Sequence, residues 1–98
     1  MIIAIDYDDT YTQDPELWNN FIKSSNERGH VVICVTMRYG TGGEEIDVLN
    51  SIGKLCGVIF TGRRGKRNWV KESNIYPDVW IDDRPEYILN NSVSYNGD

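Results

Sequence analysis

Ile2-Ile3-Ala4-Ile5-Asp6-Tyr7-Asp8-Asp9-Thr10 is a short apolar run that ends abruptly in carboxylates. A second run, Val79-Trp80-Ile81, ends the same way in Asp82-Asp83. Carboxylates repel one another and are costly to take out of water. Two such clusters, each at the C-terminal end of a strand-like run, point to one shared site built around a hard cation. Mg2+ fits that description, because it takes oxygen ligands and keeps waters that a phosphate can replace. Phosphoryl chemistry is the first functional expectation.

Working outward, four apolar β-rich runs stand out, at residues 2–6, 31–36, 57–61 and 79–82. They are continuous rather than alternating, as in strands buried on both faces of a parallel sheet. Helical segments separate them. Asp14-Pro15-Glu16 opens the first, with Asp as N-cap and Pro at the first helical position. It carries Leu17, Trp18, Phe21 and Ile22 at helical spacing and stops at Gly29. A second helix is expected from about Glu44 to Leu55, after Gly40-Thr41-Gly42-Gly43, with Ile46, Leu49 and Ile52 on one face. A third spans about Lys66 to Ser73 with Trp69 and Val70, and Pro85 starts a short fourth through Leu89. Val93-Ser94-Tyr95 could add an edge strand. Strands alternating with helices predict an α/β fold, a three-layer sandwich around a mostly parallel sheet of four or five strands.

With 98 residues the chain forms one domain, 1–98, with a single modest core. No run reaches the roughly 18 apolar residues of a membrane span. The N-terminal Met1-Ile2-Ile3-Ala4-Ile5 lacks the basic region of a signal peptide, so a cytoplasmic protein is expected. Cys34 sits inside an apolar run and reads as a reduced core thiol, and one histidine, His30, rules out a Cys/His zinc site. The net charge of −5 does not favour general nucleic-acid binding.

Ligands of open α/β sheets bind beyond the carboxyl ends of the strands. Those ends carry Asp6 and Asp8, then Thr36 and Arg38, then Thr61 and the loop Gly62-Arg63-Arg64-Gly65-Lys66-Arg67, then Asp82, Asp83 and Arg84. An acidic pair alone is more often a solvated turn, and a strand-end Thr usually satisfies the backbone. The joint pattern is what points to a site. It resembles the haloacid dehalogenase superfamily of phosphohydrolases. That family has a strand ending in Asp-x-Asp-x-Thr, a strand ending in Ser or Thr, a Lys opening a later helix, and an apolar strand ending in an acidic pair. Here these are Asp6 to Thr10, Val31 to Thr36, Lys66 (with Lys71 as the alternative), and Ile81-Asp82-Asp83. The first and fourth motifs are specific, the middle two loose. The chain leaves no room for a cap domain and is short of C-terminal strands. It looks like a minimal, capless member, whose sheet closure leaves a role for a homo-oligomer.

The resemblance implies that Asp6 attacks phosphorus and becomes an aspartyl-phosphate, while Asp8 is general acid and then general base. It implies Mg2+ held by Asp6, the backbone carbonyl of Asp8, and Asp83, with Asp82 orienting metal-bound water. Thr36 and Lys66 would hold the transferring phosphoryl group. Thr10 is expected to fix the turn after Asp8, and Asp9 to face solvent or cap an amide.

The chain has ten Lys and Arg, and six of them follow directly from the ends of strands 2 to 4. As a substrate-binding rim, Arg38, Arg63, Arg64 and Arg67 would draw in a substrate with more than one phosphate, such as a nucleotide. As a plain surface, they would pair with nearby Asp and Glu. Tyr7, Tyr11 and Tyr39 could stack on a base or pack on the sheet. The expected partner is a phosphorylated small molecule or nucleotide, and no membrane. A polynucleotide-end phosphatase is the main alternative, since an open site suits a large substrate. A non-catalytic phosphate-binding module is the alternative of another class. A response-regulator receiver fails on order, because here the second acidic cluster follows the Lys.

Overall fold

The computed structural model describes residues 1–92, so the edge strand considered at Val93-Ser94-Tyr95 lies outside the described residues. The four apolar runs form strands β1 (Ile2–Ile5), β2 (Val31–Thr36), β3 (Gly57–Phe60) and β4 (Val79–Ile81). They make one sheet in the order β3-β2-β1-β4, with every neighbouring pair parallel. Between them lie α1 (Pro15–Glu27), α2 (Ile46–Leu49), α3 (Lys66–Lys71) and, after β4, α4 (Glu86–Leu89). This is an α/β architecture compatible with a Rossmann-like fold. Among the described residues no helix is long and apolar enough to cross a membrane.

Both faces of the sheet are covered, which is why the strands read as unbroken apolar runs. Ile3, Ile5, Val32 and Cys34 pack on one face with Ile22 of α1, Val48 of α2 and Ile52. Ala4 and Val35 pack on the other with Val70 of α3, flanked by Ile33, Ile59 and Trp80. Successive strand residues thus go to opposite faces, as the strand period of two requires. Ile5, Ile22, Val48, Ile52 and Val70 are fully buried, each worth roughly 1.5–3 kcal/mol. Cys34 is a buried free thiol, as its apolar setting suggests, and burial pushes its pKa well up.

Helix α1 starts and ends on the expected signals. The Asp14 carboxylate accepts from the Leu17 N–H at 3.2 Å, Pro15 fills the first turn, and Gly29 takes a left-handed φ of 83° just past the end. Leu17 nevertheless faces solvent, while Ile22 and half-buried Trp18 and Phe21 face the sheet.

The expected long helix over 44–55 is corrected. It breaks into α2 and a separate 3-10 turn, Ile52–Lys54. The Ser51 hydroxyl donates back to the Asp47 carbonyl at 2.6 Å, a local bond that competes with helix continuation. Glu44 is drawn away from the helix by Arg38 and Arg63. The buried face is therefore Val48 and Ile52, and Ile46 and Leu49 are exposed.

One close approach fixes where α3 begins. A Cβ on Gly65 would lie 2.9 Å from the Leu89 carbonyl oxygen at the end of α4. The Gly65 N–H also donates to the Asn91 side chain at 2.7 Å. Gly65→Ala must push α3 and α4 apart, and a loss of about 1–3 kcal/mol is expected. A urea titration checks it; a midpoint equal to that of the wild type would mean that the two backbones are not locked together.

Candidate active site

The chain adds β2 and β3 on one side of β1 and then crosses to place β4 on the other. The switch in direction lies between β1 and β4, where open α/β sheets bind ligands. Ile5 pairs with Ile81, and the Asp6 N–H donates to the Ile81 carbonyl at 2.9 Å. The next residues, Asp6 and Asp82, therefore leave the sheet side by side.

Lys66, the first residue of α3, reaches into this pair. Its Nζ donates to Asp6 Oδ1 at 2.7 Å and to Asp82 Oδ2 at 2.6 Å, and it is 2% exposed. Lys71 is exposed and lines a different cavity with Tyr76 and Trp80, so Lys66 is the lysine placed at the strand ends. Thr10 does more than fix a turn. Its Oγ1 lies 3.1 Å from Asp6 Oδ2 and 3.2 Å from Asp83 Oδ1, and it accepts from the Asp83 N–H, tying the β1 loop to the β4 end. Asp9 is exposed, with a left-handed φ of 62°.

The electrostatics are strained. Burial pushes the Asp6 carboxyl up to about 7, opposed by Lys66 and reinforced by Asp82 and Asp83. Burial pulls the Lys66 ammonium down, but Asp6 and Asp82 more than reverse it, so it lies above its ordinary range. Three carboxylates face one ammonium. Oxygens of Asp6, Asp82 and Asp83 all lie within 4.8 Å of one another. An all-oxygen set of this spacing and charge fits a hard divalent cation.

The cleft has two lobes. One, about 280 Å³, is lined by Asp6, Asp8, Lys66, Asp82, Asp83 and Arg84 among others. The other, about 440 Å³, is lined by Asp8, Asp9, Met37, Arg38, Glu44 and Arg63. Asp8, Asp9 and Met37 border both. Both Asp8 oxygens accept from Arg38, Oδ2 from Nε at 3.0 Å and Oδ1 from Nη2 at 2.8 Å. Arg38 also donates to the Glu44 carbonyl at 2.8 Å and lies over the Tyr7 ring. Arg63 pairs with the Glu44 carboxylate through both Nη atoms at 2.9 Å and covers Tyr39. That pairing holds Glu44 below its ordinary pKa.

The basic rim is thus divided. Arg38 and Arg63 line the second lobe with their charges paired. Arg64 borders a separate hollow with Tyr39 and Trp69, and Arg67 lies in another with Lys71 and Trp80. Thr36 is buried at the end of β2, its hydroxyl accepting from the Arg38 N–H at 3.3 Å. Tyr7 and Tyr11 are buried and stack on each other at 5.7 Å, which makes them packing residues; Tyr39 remains exposed. Glu44 was not singled out from the sequence, where it is one of two acids after a Gly-rich loop.

No protein-family model matches this chain, and no curated protein or solved structure matches it.

Proposed function

We propose that the chain is a Mg2+-dependent phosphomonoester hydrolase of the haloacid dehalogenase type, capless, acting through an aspartyl-phosphate on Asp6. The observation that supports this most is the meeting of Asp6, Lys66, Asp82 and Asp83 where β1 and β4 end. The motif order of the sequence supports the same reading.

Asp6 and Asp83, with the Asp8 carbonyl, would hold Mg2+, which supplies the charge neutralisation that lets a carboxylate approach a phosphate. An Asp6 oxygen attacks phosphorus as the bond to the leaving oxygen breaks, and Asp8 gives that oxygen a proton. Water then attacks the aspartyl-phosphate, Asp8 takes its proton, and the Asp6–phosphorus link breaks to release phosphate. Lys66 has three donors and uses two on Asp6 and Asp82, which leaves one for a phosphoryl oxygen. The Arg38 N–H occupies a lone pair of Thr36, so the Thr36 O–H remains a donor. The open cleft and the arginines of the second lobe favour a nucleotide or another multiply charged substrate.

The ligand ranking has its own test. Asp82 is held by Lys66 with a side chain only 3% exposed, whereas Asp83 is exposed at the mouth. Asp83→Ala should weaken Mg2+ binding by about tenfold or more, and Asp82→Asn less. Calorimetric titration with Mg2+ decides it, and a reversed ranking would make Asp82 the direct ligand. The function itself is tested by a screen, with Mg2+, of sugar phosphates, mononucleotides and 3′- or 5′-phosphorylated oligonucleotides. Failure to hydrolyse any of them under Mg2+ would remove the enzymatic reading.

A further inference from the structure

We propose that Arg38 is a latch on Asp8, opened by a substrate that carries a second anionic group. The inference rests on the phosphatase reading for the role of Asp8, and goes beyond it by coupling recognition to catalysis.

Asp8 must hand a proton to the leaving oxygen in the first lobe. Yet both its oxygens are taken by Arg38, in the two-point geometry that makes guanidinium–carboxylate pairs strong. The third arm of Arg38 is fixed by the Glu44 carbonyl, and its face rests on Tyr7. Glu44 is itself anchored by Arg63 and by the Tyr39 N–H. Arg38 therefore does not drift off Asp8 at no cost; another acceptor has to replace the carboxylate.

A phosphate offers the same two-point geometry with more charge, and the second lobe leaves room for one beside Arg38. Asp8 stands on the wall between the lobes, so its release requires only side-chain rotation toward the first. A substrate with one phosphate fills the first lobe and leaves the latch closed. A substrate with two, such as a nucleoside bisphosphate or an oligonucleotide end, fills both and frees Asp8. Specificity then appears in kcat and not only in KM, because the second anion frees the acid and does not merely add uniform binding.

Two measurements test this. In the wild type, kcat should be several-fold higher for a nucleoside bisphosphate than for an aryl phosphate. Arg38→Ala should raise kcat for the aryl phosphate by about tenfold, inside the roughly 100–10,000-fold range of general-acid catalysis, and abolish the difference between substrates. An equal drop on both substrates would make Arg38 a simple binding residue and overturn the latch. The second measurement does not depend on turnover. The Arg38 Nε–H resonance, followed by 15N NMR, should move when methylenebisphosphonate saturates the protein and move much less with inorganic phosphate. Absence of bisphosphonate binding, or binding with that resonance unmoved, overturns the latch. A moved resonance in a protein that hydrolyses no phosphate ester would instead leave the latch standing and remove the phosphatase reading.

Discussion

Asp6→Asn is expected to lower Mg2+-dependent turnover of the best substrate by at least about 1,000-fold, while the fold becomes more stable. The amide keeps the shape of the side chain and still meets Thr10, but it cannot attack phosphorus. Stability moves the other way because Asp6 is a poor residue for packing. Its folded pKa lies at about 7 against 3.8 for the free carboxyl, with burial as the main cause. A raised folded pKa means that the native state binds the proton more tightly than the unfolded one. The contribution of Asp6 to stability is then intact below about pH 4 and lost as pH rises through about 7. With a chelator present, the gain in melting temperature from Asp6→Asn should grow from pH 4 to pH 7 and flatten beyond. At a few kcal/mol, it amounts to on the order of 10 °C for a domain of this size. Wild-type turnover in Asp6→Asn would sink the nucleophile assignment. A melting difference that does not change with pH would show that Asp6 is not strained.

The strands and their acidic ends were legible because a parallel sheet covered on both faces leaves unbroken apolar runs, and each run stops where the chain meets solvent. Asp6, Asp82 and Lys66 could thus be placed together before their distances were known. Helix α1 was legible because Asp14, Pro15 and Gly29 are local signals. The 44–55 segment was not. Its pattern suits a helix, but Ser51 bonds back to Asp47, and two arginines from elsewhere take hold of Glu44. The arginine rim was misread as a group for a related reason. Whether a loop arginine is free depends on its partner, and Arg38 finds Asp8 thirty positions away in sequence. Nothing local to Arg38 announces that. Arg64 and Arg67 belong to the same basic run as Arg63, yet a loop and the first turn of a helix aim them at different faces.

Lys66→Met should be the most destabilising single change at the site, by about 3–5 kcal/mol near pH 8. The methionine fills most of the same volume, so packing is not the cause. Lys66 is the cation printed against both Asp6 and Asp82, and its removal leaves two carboxylates in a site where each side chain is under a tenth exposed. Replacing a whole buried ion pair by neutral groups costs far less than removing one partner. Asp82→Asn added to Lys66→Met should therefore recover stability. Recovery should be larger at pH 6 than at pH 8, because without Lys66 the remaining Asp6 carboxyl is protonated over a wider range. Urea unfolding of the single and double variants at both pH values measures this. A Lys66→Met midpoint within error of the wild type would mean that water, not Lys66, compensates the carboxylates. Such a result would remove the electrostatic reason for placing a lysine at the start of α3 and leave only its proposed contact with substrate to explain it.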